Sequence, residues 1–79
     1  MSRNVNRINN WYNNQAARED WEYIAAKATA AGRPDIVAAN EPLGGDSWRQ
    51  IDKAIGVIRA ELGWPTIYQM RLADKINGH

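Results

Sequence analysis

The run from Ser47 to Gly63 constrains this chain more than any other segment. Ser47-Trp48-Arg49-Gln50 has the form of a capping box, a serine at the N-cap and a glutamine three residues on. Asp46 competes as the cap, so the start is placed to within a residue. Trp48, Ile51, Ile55, Ile58 and Leu62 then recur at i, i+3, i+7, i+10 and i+14, which makes one face of a helix apolar. Gly63 stops it, because glycine takes the left-handed cap conformation without a Cβ clash. A helix over 48–62 with one apolar stripe must be covered by other elements.

The covering elements also read as helices. Ala17, Trp21, Ile24, Ala25 and Ala28 form a second clean stripe. Gly32 ends it as a left-handed cap and Pro34 prevents continuation. Upstream, Val5, Ile8 and Tyr12 share a face at i, i+3, i+7, but residues 1–14 also hold six Asn. Asparagine weakens a helix because its side chain competes for nearby backbone groups. A short first helix over about 4–13 is expected, with an extended arm as the alternative. The two stripes lie on nearly opposite faces, and Glu19, Asp20 and Glu22 suit a helix N-terminus. Both facts favour a break near Asn13–Gln15 over one long helix from 4 to 31 contacted on two sides.

Residues 33–46 form a Pro- and Gly-rich connection with Pro34, Pro42, Gly44 and Gly45. Within it 35–39 suits one helical turn, Pro34 at its first position. A strand through Ile36-Val37 would have no partner. Leu43-Gly44-Gly45 reads as a flexible loop. After Gly63, Trp64-Pro65 forces an extended residue, then a last helix over about 65–76 with Pro65 near its first position. Its apolar residues, Ile67, Tyr68, Met70, Leu72, Ala73 and Ile76, spread around the circumference. The expected fold is therefore all-α: a small single-domain bundle of about four helices over 1–79, with a C-terminal helical hairpin.

Composition limits what such a bundle can do. Of 79 residues 44% are hydrophobic, but 12 of those 35 are Ala, leaving 23 large apolar or aromatic side chains for the whole fold. That is a marginal core for a chain of this size. With no Cys, thiolate metal sites, disulfides and thiol nucleophiles are excluded. The one His is at position 79, so a His-based triad or multi-His site in a folded core is excluded as well. The carboxylates fall into Glu19/Asp20/Glu22, Asp35/Glu41/Asp46 and Asp52/Glu61/Asp74 with no His or Cys partner, and Gly44-Gly45-Asp46 lacks a Walker lysine. These charges read most simply as solvated faces and helix caps. No catalytic residue, cofactor or metal ligand is expected, and the chain is not expected to be an enzyme. There is no basic start followed by an apolar run, and no apolar stretch of membrane length, so a cytoplasmic protein without a membrane partner is expected.

Binding functions remain. Trp11, Trp21, Trp48 and Trp64 are an unusual share for 79 residues. Trp21 and Trp48 sit on the two clean stripes and suit core anchors. Trp11, among polar Asn, and Trp64, in a turn, are harder to bury. Exposed aromatics beside arginine make typical interface anchors, so Arg3, Arg7, Trp11, Tyr12, Trp64 and Arg71 are the candidate partner-binding residues. The Ala-rich stretch 25–31 allows a neighbouring helix to approach closely, inside the fold or in a homodimer.

The leading expectation is a small non-enzymatic protein that binds a host protein or protein complex and sterically blocks or modulates it. Phage-type inhibitors of host machinery, such as anti-CRISPR proteins, share this size and lack of catalytic residues, although no motif carries that reading. The alternative is a helix-turn-helix DNA-binding regulator. Residues 51–76 have that outline, and Thr66, Gln69, Arg71 and Lys75 could reach bases or phosphates. Any helical hairpin shares the outline, however. The formal charge of +1, and five basic against four acidic residues over 46–79, argue against it. A structural subunit of a larger assembly is the third possibility.

Overall fold

A computed structural model of the chain describes residues 2–78, with side chains placed from Tyr12 to Gly78. The described residues form four α-helices and no strand: α1 (Ser2–Ala30), α2 (Pro34–Asn40), α3 (Trp48–Leu62) and α4 (Ile67–Asn77). The bundle is thus all-α, as its periodicity implies. α3 starts at Trp48 behind a Ser47 capping box, the Ser47 amide donating to Gln50 Oε1 at 2.8 Å.

α1 and α3 end alike. Gly32 and Gly63 lie at φ +84° and +68°, a region glycine enters without penalty. The next amide in each case reaches back five residues, Arg33 to the Ala28 carbonyl and Trp64 to the Arg59 carbonyl, both at 2.9 Å. These are Schellman ends. α2 has Pro34 in its first turn, where a missing N–H costs nothing.

The expected break at Asn13–Gln15 does not occur: α1 is one helix of 29 residues. Asn14 shows why its type does not interrupt the chain here. Its side chain does not compete for its own backbone; Asn14 Oδ1 instead accepts from the Trp48 amide at 2.8 Å. That N–H belongs to the first turn of α3 and has no intrahelical acceptor. A residue that weakens one helix thus caps another. Glu19, Asp20 and Glu22, read as marks of an N-terminus, lie in the middle of α1.

The buried core is Ala17, Ile24 and Ala28 from α1, Ile36 from α2, and Ile51, Ile55 and Ile58 from α3. Every one of these is an isoleucine or an alanine. Alanine on α1 against isoleucine on α3 lets the two helix backbones approach closely. Trp21 and Trp48 do not serve as fully buried anchors; they are half-buried and pack around the core with Val37, Leu62, Trp64, Ile67 and Met70. Large rings at the margin suit a molecule whose Cα extents are 45 × 31 × 16 Å. With helix axes about 8–10 Å apart, a 16 Å depth holds no more than two helix layers. Such a slab encloses few side chains completely, and no polar side chain is buried among the described residues.

Two further expectations change. Leu43-Gly44-Gly45 is a fastened turn: Asp46 Oδ2 accepts from the Leu43 amide at 2.8 Å, and the Arg18 guanidinium donates to the Gly44 and Asp46 carbonyls at 2.8 and 3.2 Å. α4 starts at Ile67 behind Thr66, with Pro65 outside the helix. Thr66 Oγ1 accepts from the Gln69 amide at 3.2 Å and Gln69 Oε1 accepts from the Thr66 amide at 3.1 Å. This second capping box sets the start of α4, whose polar anchors lie on α1 and not on α3 as a C-terminal hairpin would have them.

Candidate functional site

α4 carries no buried residue. Ile67 and Met70 rest on the margin of the core, and the rest of its attachment is polar. Asp74 is the hub. Lys27 Nζ lies 2.9 Å from Asp74 Oδ1 and 2.8 Å from Oδ2, and the Tyr23 hydroxyl donates to Asp74 Oδ2. One turn earlier on α4, Arg71 Nη2 donates to Asp20 Oδ1 at 3.0 Å. Its guanidinium also lies 4.5 Å from the Tyr23 ring centroid, a cation–π distance. Asp20, Tyr23 and Lys27 therefore form one polar stripe on α1, at i, i+3 and i+7, beside the apolar one.

Titration follows this geometry. The hydrogen bonds from Lys27 and then Tyr23 hold the Asp74 carboxyl below its ordinary pKa. The bond to Asp74 raises the Lys27 ammonium. Loss of solvent, then the bond to Asp74, raises the Tyr23 hydroxyl. These groups are substantially exposed, so each pair contributes modestly by itself. Their work is to set how α4 lies on α1.

The outer face of α4 is different. Tyr68, Leu72 and Ile76 follow at i, i+4 and i+8 and are 75%, 45% and 73% exposed. They form a single apolar ridge roughly opposite the face that Ile67, Met70, Arg71 and Asp74 turn toward α1. Lys75 is the charged residue at its edge.

The residues expected to bind a partner have separate fates. Arg3, Arg7 and Trp11 lie within α1 by sequence, but their side chains are outside those described. Tyr12 is exposed. Trp64 packs against the core margin, and Arg71, itself exposed, pairs with Asp20 and the Tyr23 ring. Of the four DNA-reading candidates, Thr66 and Gln69 are spent on the α4 cap and Arg71 on α1. Lys75 alone of the four is exposed without an ion pair among the described residues.

Tyr23, Lys27 and the helix-capping role of Asn14 have no place in the sequence-based reading, and Asp20 and Asp74 read there as solvated faces and caps, where each instead joins α1 to α4. A signal for that joint existed. The order acid, tyrosine, base along α1 complements the order base, acid at Arg71 and Asp74.

For chemistry the surface offers little. No group of three or more His, Cys, Asp or Glu able to hold a metal ion occurs among the described residues. One open hollow of about 300 Å³ is lined by Arg18, Trp21, Glu22, Glu41, Pro42 and Ile51, and Arg18 already serves the 43–46 turn. Asp52 titrates above the usual carboxylate range through burial and then repulsion from Asp20, whose own carboxylate is paired with Arg71. No described helix is long and apolar enough to cross a membrane. No protein-family model matches the chain, and neither curated proteins nor solved structures gave a match.

Proposed function

We propose that this is a non-enzymatic interaction protein that binds another macromolecule through the first half of α1 and blocks or modulates the surface it covers. One observation carries the reading: α1 runs past the rest of the bundle. Asn14 marks the level at which α3 begins, and Ser2–Asn13 precede it in the same helix. At 1.5 Å per residue those twelve residues reach about 18 Å further. The Cα radius of gyration agrees: it is 14.0 Å, against about 12 Å for a compact chain of this length.

Continuity of α1 also gives the candidate residues a common register. Arg3, Arg7 and Trp11 fall at i, i+4 and i+8 along it, the spacing with which a helix presents anchors to a groove. Tyr12 is exposed at the base of this arm. Arginine and aromatic residues at that spacing suit a protein partner, and occlusion of a working surface is the effect of a helix docked there. A phage-type inhibitor of host machinery is the biological setting this would fit.

The test is co-purification of a stoichiometric partner from lysate of the natural host, using the tagged full chain and the triple variant Arg3→Ala/Arg7→Ala/Trp11→Ala. The partner is expected with the first and lost with the second, while circular dichroism and melting stay unchanged. A folded triple variant that keeps the partner refutes the role of the arm. Retardation of a DNA duplex that weakens steeply with salt would replace the reading with the DNA-binding one.

A further inference from the structure

α4 and the other three helices are held by different forces. The seven buried side chains described all belong to α1, α2 and α3, and the substantial helix-to-helix approaches run among those three. α4 contributes none of the seven, and every residue from Arg71 to Gly78 is exposed. We propose that α4 is a salt-sensitive strap: it releases α1 as one unit, turning about Pro65, while α1, α2 and α3 stay packed. Release does not depend on what the arm of α1 binds.

The joint permits this. α3 closes itself before Pro65, through the Gly63 and Trp64 amides on the Ala60 and Arg59 carbonyls, and Trp64 is packed on the core margin. α4 closes itself after Pro65, through the Thr66–Gln69 box. Proline has no amide to donate, and no backbone hydrogen bond among the described residues joins α4 to another element. Turning α4 at Pro65 therefore breaks no backbone bond.

What crosses the joint's two sides is charge. Among the described residues, the hydrogen bonds from α4 to the rest of the fold are those of Asp74 with Tyr23 and Lys27, and of Arg71 with Asp20. The four ion-pairing side chains are between 39% and 47% exposed, so dissolved ions reach them. The screening length is about 30 Å at 0.01 M salt and about 3 Å, the span of the contacts themselves, at 1 M. The buried seam between α1 and α3 holds no polar side chain to screen. Salt therefore loosens the strap and spares the body. Ile67 and Met70 keep an apolar hold on the core margin, which limits the loosening to several-fold.

Release melts the strap as well as moving it. α4 has 11 residues, too few for a helix to persist alone in water, so it unwinds once it leaves α1. The open form bares Asp20, Tyr23 and Lys27 on α1, together with the core margin under Ile67 and Met70. Ionic strength, or a charged partner competing for either side of the clasp, thereby sets how much of α1 the chain offers.

Amide exchange of the full chain by NMR, at constant pH in about 0.02 M and about 1 M sodium chloride, tests this. The amides of 70–77 are expected to share one opening constant, at least about tenfold larger than that of 51–58. High salt should raise it about three- to tenfold and leave 51–58 within about twofold. Asp74→Asn, which keeps the shape of the side chain, should raise the low-salt opening by a similar factor and blunt the response to salt. Lys27→Gln, on α1, should do the same with the sequence of α4 intact. α4 amides as protected as those of α3, a graded loss inward from Gly78 that marks fraying, an opening indifferent to salt, or α3 opening together with α4 each overturns the strap. The Arg3/Arg7/Trp11 variant should open as the unaltered chain does, so failure here and failure of the arm are read separately.

Discussion

Replacement of Ile24 by alanine tests whether the slab is held by the isoleucine seam between α1 and α3. Ile24 is fully buried and, among the described residues, is one of three large side chains in that condition, with Ile51 and Ile58. Removing three buried carbons from an isoleucine costs about 2–5 kcal/mol, more where neighbours cannot close the gap. Ala28, one turn on, has only a methyl and cannot move into the space. Trp21, one turn back, is half-buried and could close in part of it, which places the expected cost at about 3 kcal/mol.

Set against the whole, this is large. A chain of 79 residues has a stability of about 4–12 kcal/mol, and the seven buried residues among those described point to the lower half. In a domain of this size 1 kcal/mol moves the melting midpoint by about 4–8 °C, so a fall of about 12–24 °C is expected for Ile24→Ala by thermal circular dichroism. Val57→Ala, at a site 43% exposed, is the control and should change stability by no more than about 0.5 kcal/mol. A fall below about 4 °C for Ile24→Ala, or equal effects at the two sites, would refute the account of the core.

Glycine substitutions should separate by backbone geometry: Gly63→Ala, at φ +68°, is expected to lose about 1–2 kcal/mol in urea titration. Gly56→Ala, inside α3 with no atom within 4 Å of the new methyl, should gain about 0.5–1 kcal/mol. Asn14→Ala should cost about 1 kcal/mol by stripping the Trp48 amide of its acceptor, and Thr66→Ala a similar amount at α4. Each should also speed amide exchange in the first turn of the helix it caps, and normal exchange there would contradict the capping role. The α4 attachment should depend on pH at both ends. Asp74 has a lowered pKa, so its contribution is complete above the ordinary aspartate value and is lost as pH falls through the lowered one. Tyr23 and Lys27 have raised pKa values, so theirs is complete below the ordinary values near 10 and is lost as pH rises through the raised ones. An Asp74 carboxyl found by NMR to titrate at or above the ordinary value would remove the clasp.

Legibility differed along the chain for identifiable reasons. Ser47, Gln50 and the stripe to Leu62 act within one helix, and their outcome is present in their spacing. The Thr66–Gln69 box is equally local, but Pro65 is the louder signal and moved the expected start of α4 by two residues. Asn14 was misjudged because its intrinsic preference is measured against its own backbone, whereas here its acceptor serves an amide 34 residues away. Asp74 read as solvated surface, and Tyr23 and Lys27 went unread, for the same reason. Their partners lie 47 and 51 residues off, and charge order alone names no pair.

The sequence by itself determined that the chain is helical, where α3 begins and ends, that α2 starts at Pro34, that α1 stops at Gly32, and that these 79 residues supply no thiol. Helix periodicity, capping and residue type act over one to four positions, so they are decided before any tertiary contact forms. Only the tertiary structure decided that residues 2–30 are continuous, that Trp64 packs on the core margin, that Arg71 bridges to α1, and which side of α4 remains bare. Those outcomes depend on which backbone amides and charges lie across an interface. In a two-layer slab with few fully buried side chains, such cross-helix polar contacts decide what the surface presents.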